Sequence, residues 1–315
     1  VIECYQCLLV KSEADAAAEA LREYMRRCRV AGYDEKTGRG LVRHLYVRSN
    51  AAGESLVCVL VNGDKLPQEE TLVALLRGAC PKCTGIVLGT NTKKGNVILG
   101  NRYRTLWGSD RLEDTLCGKT FRLSVPSFYQ VNREGAELLY ETAARMAEVR
   151  GGESLWDLYC GAGTIGLSML SPGRNARPAQ VTGVEIVPEA VACAEQNARL
   201  NAEAGRIPPD AAHFFCADAG DAAALFAAAD TGAAPAPDIV IIDPPRKGTT
   251  PELIRELARR GVPRVVYVSC DPETLARDCA LFCASGYAVG EVQPVDMFPR
   301  TGHVETVVLM SREDK

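Results

Sequence analysis

The chain lacks several features that would place it in a special class of protein. It has no apolar run near the 18 residues that a membrane span needs, and no signal peptide is visible. Only 6% of its 315 residues are aromatic, and only three are histidines. Its net charge of −4 gives no overall electrostatic case for a nucleic-acid partner. These absences indicate an ordinary globular protein whose function has to be sought in its motifs.

Regular cysteine spacing is absent as well, although cysteine itself is plentiful. Thirteen cysteines without a repeating pattern do not resemble the disulfide framework of a secreted domain, so we predict a reducing, cytoplasmic location. The segment "CPKC" (80–83) has the spacing of a metal or redox pair but no second pair to match it. Its sequence therefore favours two ordinary cysteines near a helix end.

The pattern of apolar residues changes character near residue 122. Before it, two helical segments are mixed with strand-like ones such as "GNVILG" (95–100), which predicts a small α+β domain of antiparallel type over residues 1–122. From 123 to 315, short apolar strands alternate with helices, as in a parallel, doubly wound α/β sheet. The last two strands are expected to pair antiparallel. Seven strands with such an end piece resemble the Rossmann-like sheet of class I methyltransferases.

Four predicted strands end in residues suited to binding a nucleoside cofactor. In "DLYCGAGTIGL" (157–167), a strand meets a Gly-x-Gly turn and a helix start, which lets the backbone approach a ligand closely. Glu185 follows where an acid binds ribose hydroxyls, and Asp218 stands where a carboxylate accepts from an adenine amino group. The fourth strand ends in "DPPRKG", which a dinucleotide enzyme would not need. The set predicts S-adenosylmethionine, with Asp243 where methyl donor and acceptor meet.

Cys270 distinguishes between the methyl acceptors that remain. Carbon 5 of uracil becomes a nucleophile only after a thiolate adds to carbon 6, and a base must later remove the carbon-5 proton. Cys270 stands just before a helix that begins near Pro272, and we expect the helix terminus to lower its pKa. Glu305 is the candidate base, although its spacing alone is typical of a solvent-facing strand residue. Methylation of an exocyclic nitrogen through the Asp-Pro-Pro motif is the alternative, for which Cys270 would hardly matter.

Six motifs in order resemble the RNA uracil-5-methyltransferases over nearly the whole chain. They are "SFYQVN", "DLYCGAGTIGL", "GVEIVPEAV", "DPPRKG", "VYVSCDPETLARD" and "VQPVDMFPRTGHVE". The resemblance implies that Cys270 is the nucleophile and Glu305 the base, with Asp243 between cofactor and substrate. It implies as cofactor contacts Gln130, Tyr159, Gly161, Gly163, Thr164, Glu185 and Asp218. One departure is Cys-Asp-Pro where relatives often have Cys-Asn-Pro, and since both residues form turns we expect no loss of activity.

The same resemblance implies parts that the sequence does not contain. Related enzymes of the 23S ribosomal RNA branch commonly carry an amino-terminal TRAM barrel and a [4Fe–4S] cluster held by four cysteines. The opening "VIECYQC" matches only the last of these positions, with Cys4 as the best fit and Cys7 as second choice. We therefore expect a fragment without barrel or cluster, in which Cys4 is an orphan ligand.

The implied substrate is a uridine in a single-stranded loop or flipped out of its stack, because stacked bases hide the ring faces. The segment 91–108, which carries lysines and arginines but no acids, is a candidate contact to the RNA backbone, as are Arg43, His44 and Arg48. Candidates for stacking on a base are Phe128, Tyr129 and Phe298, which are equally well explained as core residues. Similarity of "DEKTGRGLVRHLYVR" (34–48) to relatives favours 23S ribosomal RNA. A tRNA T-loop uridine, and an RNA-binding fragment without turnover, remain alternatives.

Overall fold

A computed structural model describes residue 7, residues 10–170 and residues 176–312. Contacts between residues divide the chain into two compact units. The first runs to Asp114 and includes Arg122–Pro126; the second consists of Thr115–Phe121 and the chain from Ser127 onward. Within the described ranges, no helix is both long enough and apolar enough to cross a membrane.

Eight helices occur in the described residues. They are α1 (Ser12–Arg27), α2 (Glu69–Ala79), α3 (Arg133–Met146), α4 (Thr164–Met169), α5 (Pro188–Glu203), α6 (Ala222–Asp230), α7 (Pro251–Arg260) and α8 (Pro272–Ala284).

Thirteen strands occur in the same residues and form three sheets. They are β1 (Val42–Ser49), β2 (Ser55–Val61), β3 (Cys83–Thr90), β4 (Arg102–Gly108), β5 (Arg111–Leu116), β6 (Lys119–Ser124), β7 (Ser154–Leu158), β8 (Gln180–Glu185), β9 (Ala212–Cys216), β10 (Ile239–Ile242), β11 (Arg264–Ser269), β12 (Tyr287–Val295) and β13 (Glu305–Arg312). The sheet orders are β1-β2-β3-β4, β5-β6 and β12-β13-β11-β10-β7-β8-β9.

The first unit is built on the four-stranded sheet. Every residue of β2 is buried, as expected for a central strand covered on both faces. The apolar sides of α1 and α2 pack against β2 and β3, where Tyr24, Leu72 and Leu76 are buried.

Two details of this unit differ from the sequence prediction. The segment "GNVILG" (95–100) forms no strand, and its Val97 and Ile98 are exposed. The strands β2 and β3 pair in parallel, because α2 connects them as a crossover, so the sheet is mixed rather than antiparallel. Alternating apolar residues reveal strands but do not reveal their direction.

The second unit contains the predicted seven-stranded sheet. The strands β7 to β11 are parallel, while β13 runs antiparallel to both β11 and β12, as predicted for the final pair. From the central β7 the chain adds β8 and β9 on one side, then crosses to add β10 and β11 on the other. Ligands of such sheets bind in the crevice at the carboxyl ends of the strands where the order reverses. Here that point lies between β7 and β10.

A large core cluster holds this unit together beside β7. Trp156 on β7 and Phe226 on α6 stack with ring centroids 5.2 Å apart, and both are fully buried. The guanidinium of Arg260 lies 4.3 Å from the centroid of the Phe226 ring. Phe226 thus fixes α6 onto the sheet through dispersion contacts and a cation–π contact.

We expect Phe226→Ala to lower the free energy of unfolding by about 3 to 5 kcal/mol, because it removes a large buried side chain and leaves a cavity. Urea unfolding followed by far-ultraviolet circular dichroism measures this loss. The control is Leu138→Ala, since Leu138 on α3 is 54% exposed and its loss should cost little. Equal losses for the two variants would contradict the packing described for Phe226.

Candidate active site

The candidate residues gather at the carboxyl edge of the large sheet. Tyr159 follows β7, Glu185 ends β8 and Asp218 lies two residues beyond β9. Asp243 follows β10, and its backbone N–H donates to the carbonyl of Leu158 over 3.4 Å. This edge was predicted from the strand ends alone.

Strand register places Cys270 beside Glu305. In the antiparallel pair of β11 and β13, Ser269 lies opposite Thr306. Cys270, the next residue along, therefore comes level with Glu305, the first residue of β13. Glu305 is only 6% exposed, so it is not the solvent-facing glutamate that its spacing alone would favour.

Three acidic groups interact in this crevice. Burial, followed by the charges of Glu305 and Asp157, raises the pKa of Asp243 to about 8. Burial also raises the pKa of Glu305, while the guanidinium of Arg246 lowers it. Asp243 is therefore largely protonated at neutral pH, and Arg246 is the cation that opposes the effect of burial on Glu305.

The prediction that the pKa of Cys270 is lowered is wrong. Burial, then the charges of Glu305 and Asp243, raise the pKa of the thiol, and Arg246 only partly opposes them. The helix terminus is already occupied, since a carboxylate oxygen of Asp271 accepts from the N–H groups of Glu273 and Thr274 at 3.1 and 3.0 Å. A nearby helix end lowers a thiol pKa only where it is not outweighed by burial and like charge.

The two glycines of the predicted cofactor loop have different surroundings. A Cβ at Gly161 would meet nothing within 4 Å, so the backbone there faces open space. A Cβ at Gly163 would come within 2.9 Å of the Phe214 ring, and φ is +78° there. Gly163 is therefore required by packing against β9. Thr164 starts α4, and its hydroxyl lies 3.0 Å from that of the buried Tyr140.

The carboxylate of Glu185 helps to shape this loop. One oxygen accepts from Gly161 N at 3.1 Å and the other from Val187 N at 3.0 Å. Each oxygen keeps a further lone pair for a ligand hydroxyl. At the end of the next strand, Asp218 is exposed, and one of its oxygens accepts from Gly220 N at 2.8 Å.

Tyr159 has an uncommon backbone conformation at the turn after β7. Its φ is +63°, in the left-handed region that non-glycine residues rarely adopt. Its hydroxyl lies 3.2 Å from the hydroxyl of Thr249, in the loop that follows Asp243. The turn after β7 is thus tied to the loop after β10.

Two residues of this site were not singled out from the sequence. Asp157, on β7, is fully buried, and burial raises its pKa to about 7; one of its oxygens accepts from Gly166 N at 2.8 Å. Arg246 lies three residues after Asp243 and 3.4 Å from a ring nitrogen of His303. A polar residue within the apolar run "SLWDLYC" was the signal for Asp157, and the cation in "DPPRKG" was the signal for Arg246.

The segment "SFYQVN" (127–132) divides into anchored and exposed residues. Asn132 caps α3 by accepting from Gly135 N, and its amide donates to the carbonyl of Met297 at 3.0 Å. Gln130 is half-buried. Phe128 is 72% exposed, whereas Tyr129 is half-buried with its ring 6.3 Å from that of Phe121. Exposure leaves Phe128, rather than Tyr129, with a face open to a base; Phe298 is half-buried.

The proposed RNA contacts of the first unit are partly wrong. The side chain of Arg43 is buried and donates to the carbonyls of Asn91 and Lys93 at 2.9 and 2.7 Å, so it holds a loop in place. Arg48 is buried and donates to the Tyr46 hydroxyl at 2.8 Å. His44 is half-buried, and burial lowers its pKa. The sequence shows that a residue is basic, but it does not show whether its side chain is buried and donates hydrogen bonds to other groups of the protein.

The basic segment 91–108 is also partly neutralised. Arg102 pairs with Asp64 at 2.7 Å, and Arg104 forms a forked pair with Glu69 at 2.6 and 3.1 Å. Lys93 and Lys94 are exposed.

The metal-binding predictions concern Cys4 and the pair Cys80 and Cys83. Cys4 lies outside the described residues. Cys80 and Cys83 are buried thiols that form no disulfide, and they lie at the end of α2 and the start of β3. In the described part of the chain, no three histidine, cysteine or acidic side chains are grouped to hold a metal ion.

Two opposite substitutions test the electrostatics around Cys270. Glu305→Gln removes a like charge, so the thiol pKa should fall and alkylation by iodoacetamide at pH 8 should become faster. Arg246→Gln removes the opposing cation, so the thiol pKa should rise and alkylation should become slower. Peptide mass spectrometry resolves the rate at Cys270 from the rates at other cysteines. Changes in the same direction for both variants would contradict this arrangement.

Asp157 should make folding stability depend on pH. Its folded-state pKa of about 7 lies above the unfolded value near 3.8, so the folded state binds the proton more tightly. Its contribution to the free energy of unfolding is full below about pH 4 and is lost as pH rises toward 7. Asp157→Asn should remove this loss, which is of the order of 3 to 4 kcal/mol.

Thermal unfolding at a series of pH values from 4 to 8 measures the effect of Asp157→Asn. The control is Glu141→Gln, on an exposed position of α3, which should keep the wild-type pH dependence. An unchanged slope in Asp157→Asn would show that another group causes it.

Comparison with known proteins gives the family to which the chain belongs. Residues 102–313 match the family described as tRNA (uracil-5-)-methyltransferase. The chain is 38% identical over 311 residues to an uncharacterized RNA methyltransferase of Halalkalibacterium halodurans, covering 98% of this chain and 65% of that protein. It is 37% identical over 316 residues to an uncharacterized RNA methyltransferase of Clostridium acetobutylicum, covering 100% of this chain and 65% of the relative. The chain thus spans just under two thirds of the length of these relatives.

A solved structure gives the same result. The tRNA (uracil-54, C5)-methyltransferase of Pyrococcus abyssi, in complex with S-adenosyl-L-homocysteine, superposes with a TM-score of 0.78 at 26% identity. The match covers 98% of this chain and 70% of that one. The fold predicted from the sequence is confirmed by this likeness. Given its fold, its crevice and the family match over two thirds of its length, the chain belongs to the tRNA (uracil-5-)-methyltransferase family.

Proposed function

We propose that this chain is the catalytic part of an S-adenosylmethionine-dependent enzyme that methylates carbon 5 of a uridine in 23S ribosomal RNA. The observation that carries the proposal is the register of β11 and β13, which puts the thiol of Cys270 level with the buried carboxyl of Glu305. Carbon-5 methylation needs a nucleophile and a base beside one ring, whereas nitrogen methylation needs no cysteine.

The carboxyl edge suits S-adenosylmethionine, which would supply the methyl group on its sulfonium. Open space over Gly161 leaves room for the ligand against the backbone. Glu185 has lone pairs left for the ribose hydroxyls, and the exposed Asp218 is available to the adenine amino group. Gln130 and Tyr159 complete the proposed cofactor contacts.

Cys270 and Glu305 have successive roles in the proposed reaction. Cys270 reacts as its thiolate, after its proton has passed to solvent: the sulfur bonds to carbon 6, and the electron pair of the carbon 5–carbon 6 double bond moves toward a ring oxygen and makes carbon 5 nucleophilic. Carbon 5 would then take the methyl group from the sulfonium, whose carbon–sulfur bond breaks and leaves a neutral thioether. After carbon 5 has gained the methyl group, Glu305 removes its proton, the carbon 5–carbon 6 double bond re-forms and the bond to sulfur breaks. A raised pKa helps Glu305 to accept a proton near neutral pH.

Asp243 is suited to assist as a hydrogen-bond donor. With a pKa of about 8 it keeps its proton at neutral pH, so its O–H can donate to a ring oxygen that gains negative charge when the thiolate adds. A buried neutral acid can stabilise such an oxyanion without adding a further negative charge to the crevice.

The predicted domain 1–122, which contains most of the first unit, is proposed to bind RNA. One residue of the second unit is proposed to take part as well. Phe128, which is 72% exposed and precedes α3, is proposed to stack on a base near the crevice. Of the basic segment 91–108, the exposed Lys93 and Lys94 are the proposed contacts to phosphate.

Two other functions remain in competition. Methylation of a tRNA T-loop uridine is favoured by the likeness to the Pyrococcus enzyme, although identity to that enzyme is only 26%. A non-catalytic RNA-binding role is opposed by the burial of Glu305 next to Cys270, because an unneeded buried carboxyl lowers stability.

The test uses RNA transcribed with 5-fluorouridine and incubated with the protein and S-adenosylmethionine. Fluorine on carbon 5 cannot leave as a proton, so the adduct should persist and mass spectrometry should map it to Cys270. Transcripts of 23S ribosomal RNA and of tRNA, run separately, distinguish the two substrates. An adduct only with tRNA would overturn the ribosomal assignment.

Two variants test the residue roles. Cys270→Ser should abolish both adduct and methylation, a loss of at least about a thousandfold. Glu305→Gln should still form the bond to sulfur, and it should accumulate the adduct even with ordinary uridine because the carbon-5 proton stays. Full methylation by Cys270→Ser would exclude the carbon-5 mechanism.

A further inference from the structure

The buried carboxylate of Asp278 is a centre of hydrogen bonding that the proposed reaction does not use. Asp278 lies on α8, eight residues after Cys270, and is fully buried. One of its oxygens accepts from the hydroxyl of Tyr267 at 2.7 Å and from the backbone N–H of Thr249 at 3.0 Å. The other accepts from the guanidinium of Arg277 at 2.8 Å. A buried carboxylate with this many donors remains satisfied although it is out of water.

These partners come from the strand before Cys270, the helix after it and the loop that follows Asp243. Tyr267 belongs to β11, three residues before Cys270, so Asp278 ties the helix after the nucleophile to the strand before it. Thr249 belongs to the loop that follows Asp243. A second hydrogen bond holds the same loop, because Arg277 donates to the carbonyl of Lys247 at 2.9 Å.

The fit between loop and carboxylate is close. Gly248 lies between Lys247 and Thr249. A Cβ at Gly248 would come within 2.5 Å of an Asp278 oxygen and 2.4 Å of an Arg277 nitrogen. The backbone φ is +75° there, so glycine is needed for conformation as well as for space. From Thr249 the connection continues to Tyr159, whose hydroxyl lies 3.2 Å from the Thr249 side chain.

We propose that Asp278 is a positioning residue that sets the loop carrying Asp243 and the turn carrying Tyr159 relative to Cys270. This inference rests on the proposed function of the crevice. Asp278 touches neither of the proposed substrates, so it acts through Thr249, Lys247 and Tyr267. Displacement of a reacting group by about 1 Å is enough to slow a reaction by about a hundredfold.

The test compares Asp278→Asn with a variant of a largely buried ion pair elsewhere in the same unit. Glu153 pairs with Arg264, and both lie at the amino ends of their strands, at the opposite edge of the sheet. Glu153→Gln therefore removes a buried ion pair without touching the crevice. Tyr267→Phe removes one donor to Asp278 and leaves the other two.

For each variant, kcat and KM for uridine-containing RNA are measured together with the melting temperature. Asp278→Asn should lower kcat about a hundredfold and leave KM for RNA within about twofold. Tyr267→Phe should lower kcat less, and Glu153→Gln should keep kcat even where its melting temperature falls as far. A loss of kcat in Asp278→Asn no greater than that in Glu153→Gln would overturn the inference.

Hydrogen exchange gives a readout that needs no activity. Amides of residues 246–250 should exchange faster in Asp278→Asn than in wild type, and should be unchanged in Glu153→Gln. If wild type neither methylates RNA nor forms the fluorouridine adduct, the proposed function fails, and exchange of this loop alone then decides whether Asp278 holds it. Unchanged exchange in Asp278→Asn would overturn the inference in either case.

Discussion

The antiparallel pairing of β13 with β11 is the contact on which the candidate active site depends. All parallel strands of the large sheet end at one edge, and only a strand running the other way can begin there. Glu305 begins β13 at that edge and is buried beside Cys270. Because side chains alternate along a strand, a slip of one residue would turn Glu305 to the other face of the sheet. Strand pairing thus decides whether the proposed base lies beside Cys270 at all.

Burying acids together has a chemical consequence. The charge of Glu305 disfavours ionisation of Asp243, and the charges of Glu305 and Asp243 disfavour ionisation of Cys270, where Arg246 offsets part of the effect. Their protonation states are therefore linked, and the crevice does not easily carry several negative charges at once. A thiolate with a raised pKa is scarce but strongly nucleophilic. In the proposed reaction, addition to carbon 6 moves the negative charge from sulfur onto a ring oxygen, where the O–H of Asp243 can stabilise it.

Much of this edge could be predicted from the sequence, because strand ends are visible in it. An apolar run that stops at Asp243 or Cys270 marks the end of a buried strand, and parallel strands share their carboxyl edge. Contacts between distant segments were not visible. The burial of Glu305 depends on its register with β11, and the raised pKa of Cys270 depends on burial and then on the charges of Glu305 and Asp243, which distant segments bring beside it.

Two glycines and one arginine also show that residue type does not reveal the surroundings of a side chain in the fold. Gly161 and Gly163 look alike in sequence, yet one faces open space and the other packs against Phe214. Arg43 looks like an RNA contact in the sequence, but its side chain is buried and donates a hydrogen bond to the carbonyl of Asn91. In both cases the residue type states what is chemically possible, and the neighbours supplied by the fold decide which possibility is used.

Several arginines interact with groups of the protein itself, and this limits how many cations can contact RNA. Arg102 and Arg104 are exposed but paired with carboxylates, and the side chain of Arg43 is buried. Among the described residues of the segment 91–108, the exposed cations without a carboxylate partner are therefore Lys93 and Lys94. Each phosphate contact with a single strand changes the slope of log K against log salt by about 0.7, so contacts from these two lysines would give weak attraction and a shallow salt dependence. Recognition by this chain would then depend more on a base entering the crevice, where shape and hydrogen bonding discriminate, than on attraction to the RNA backbone.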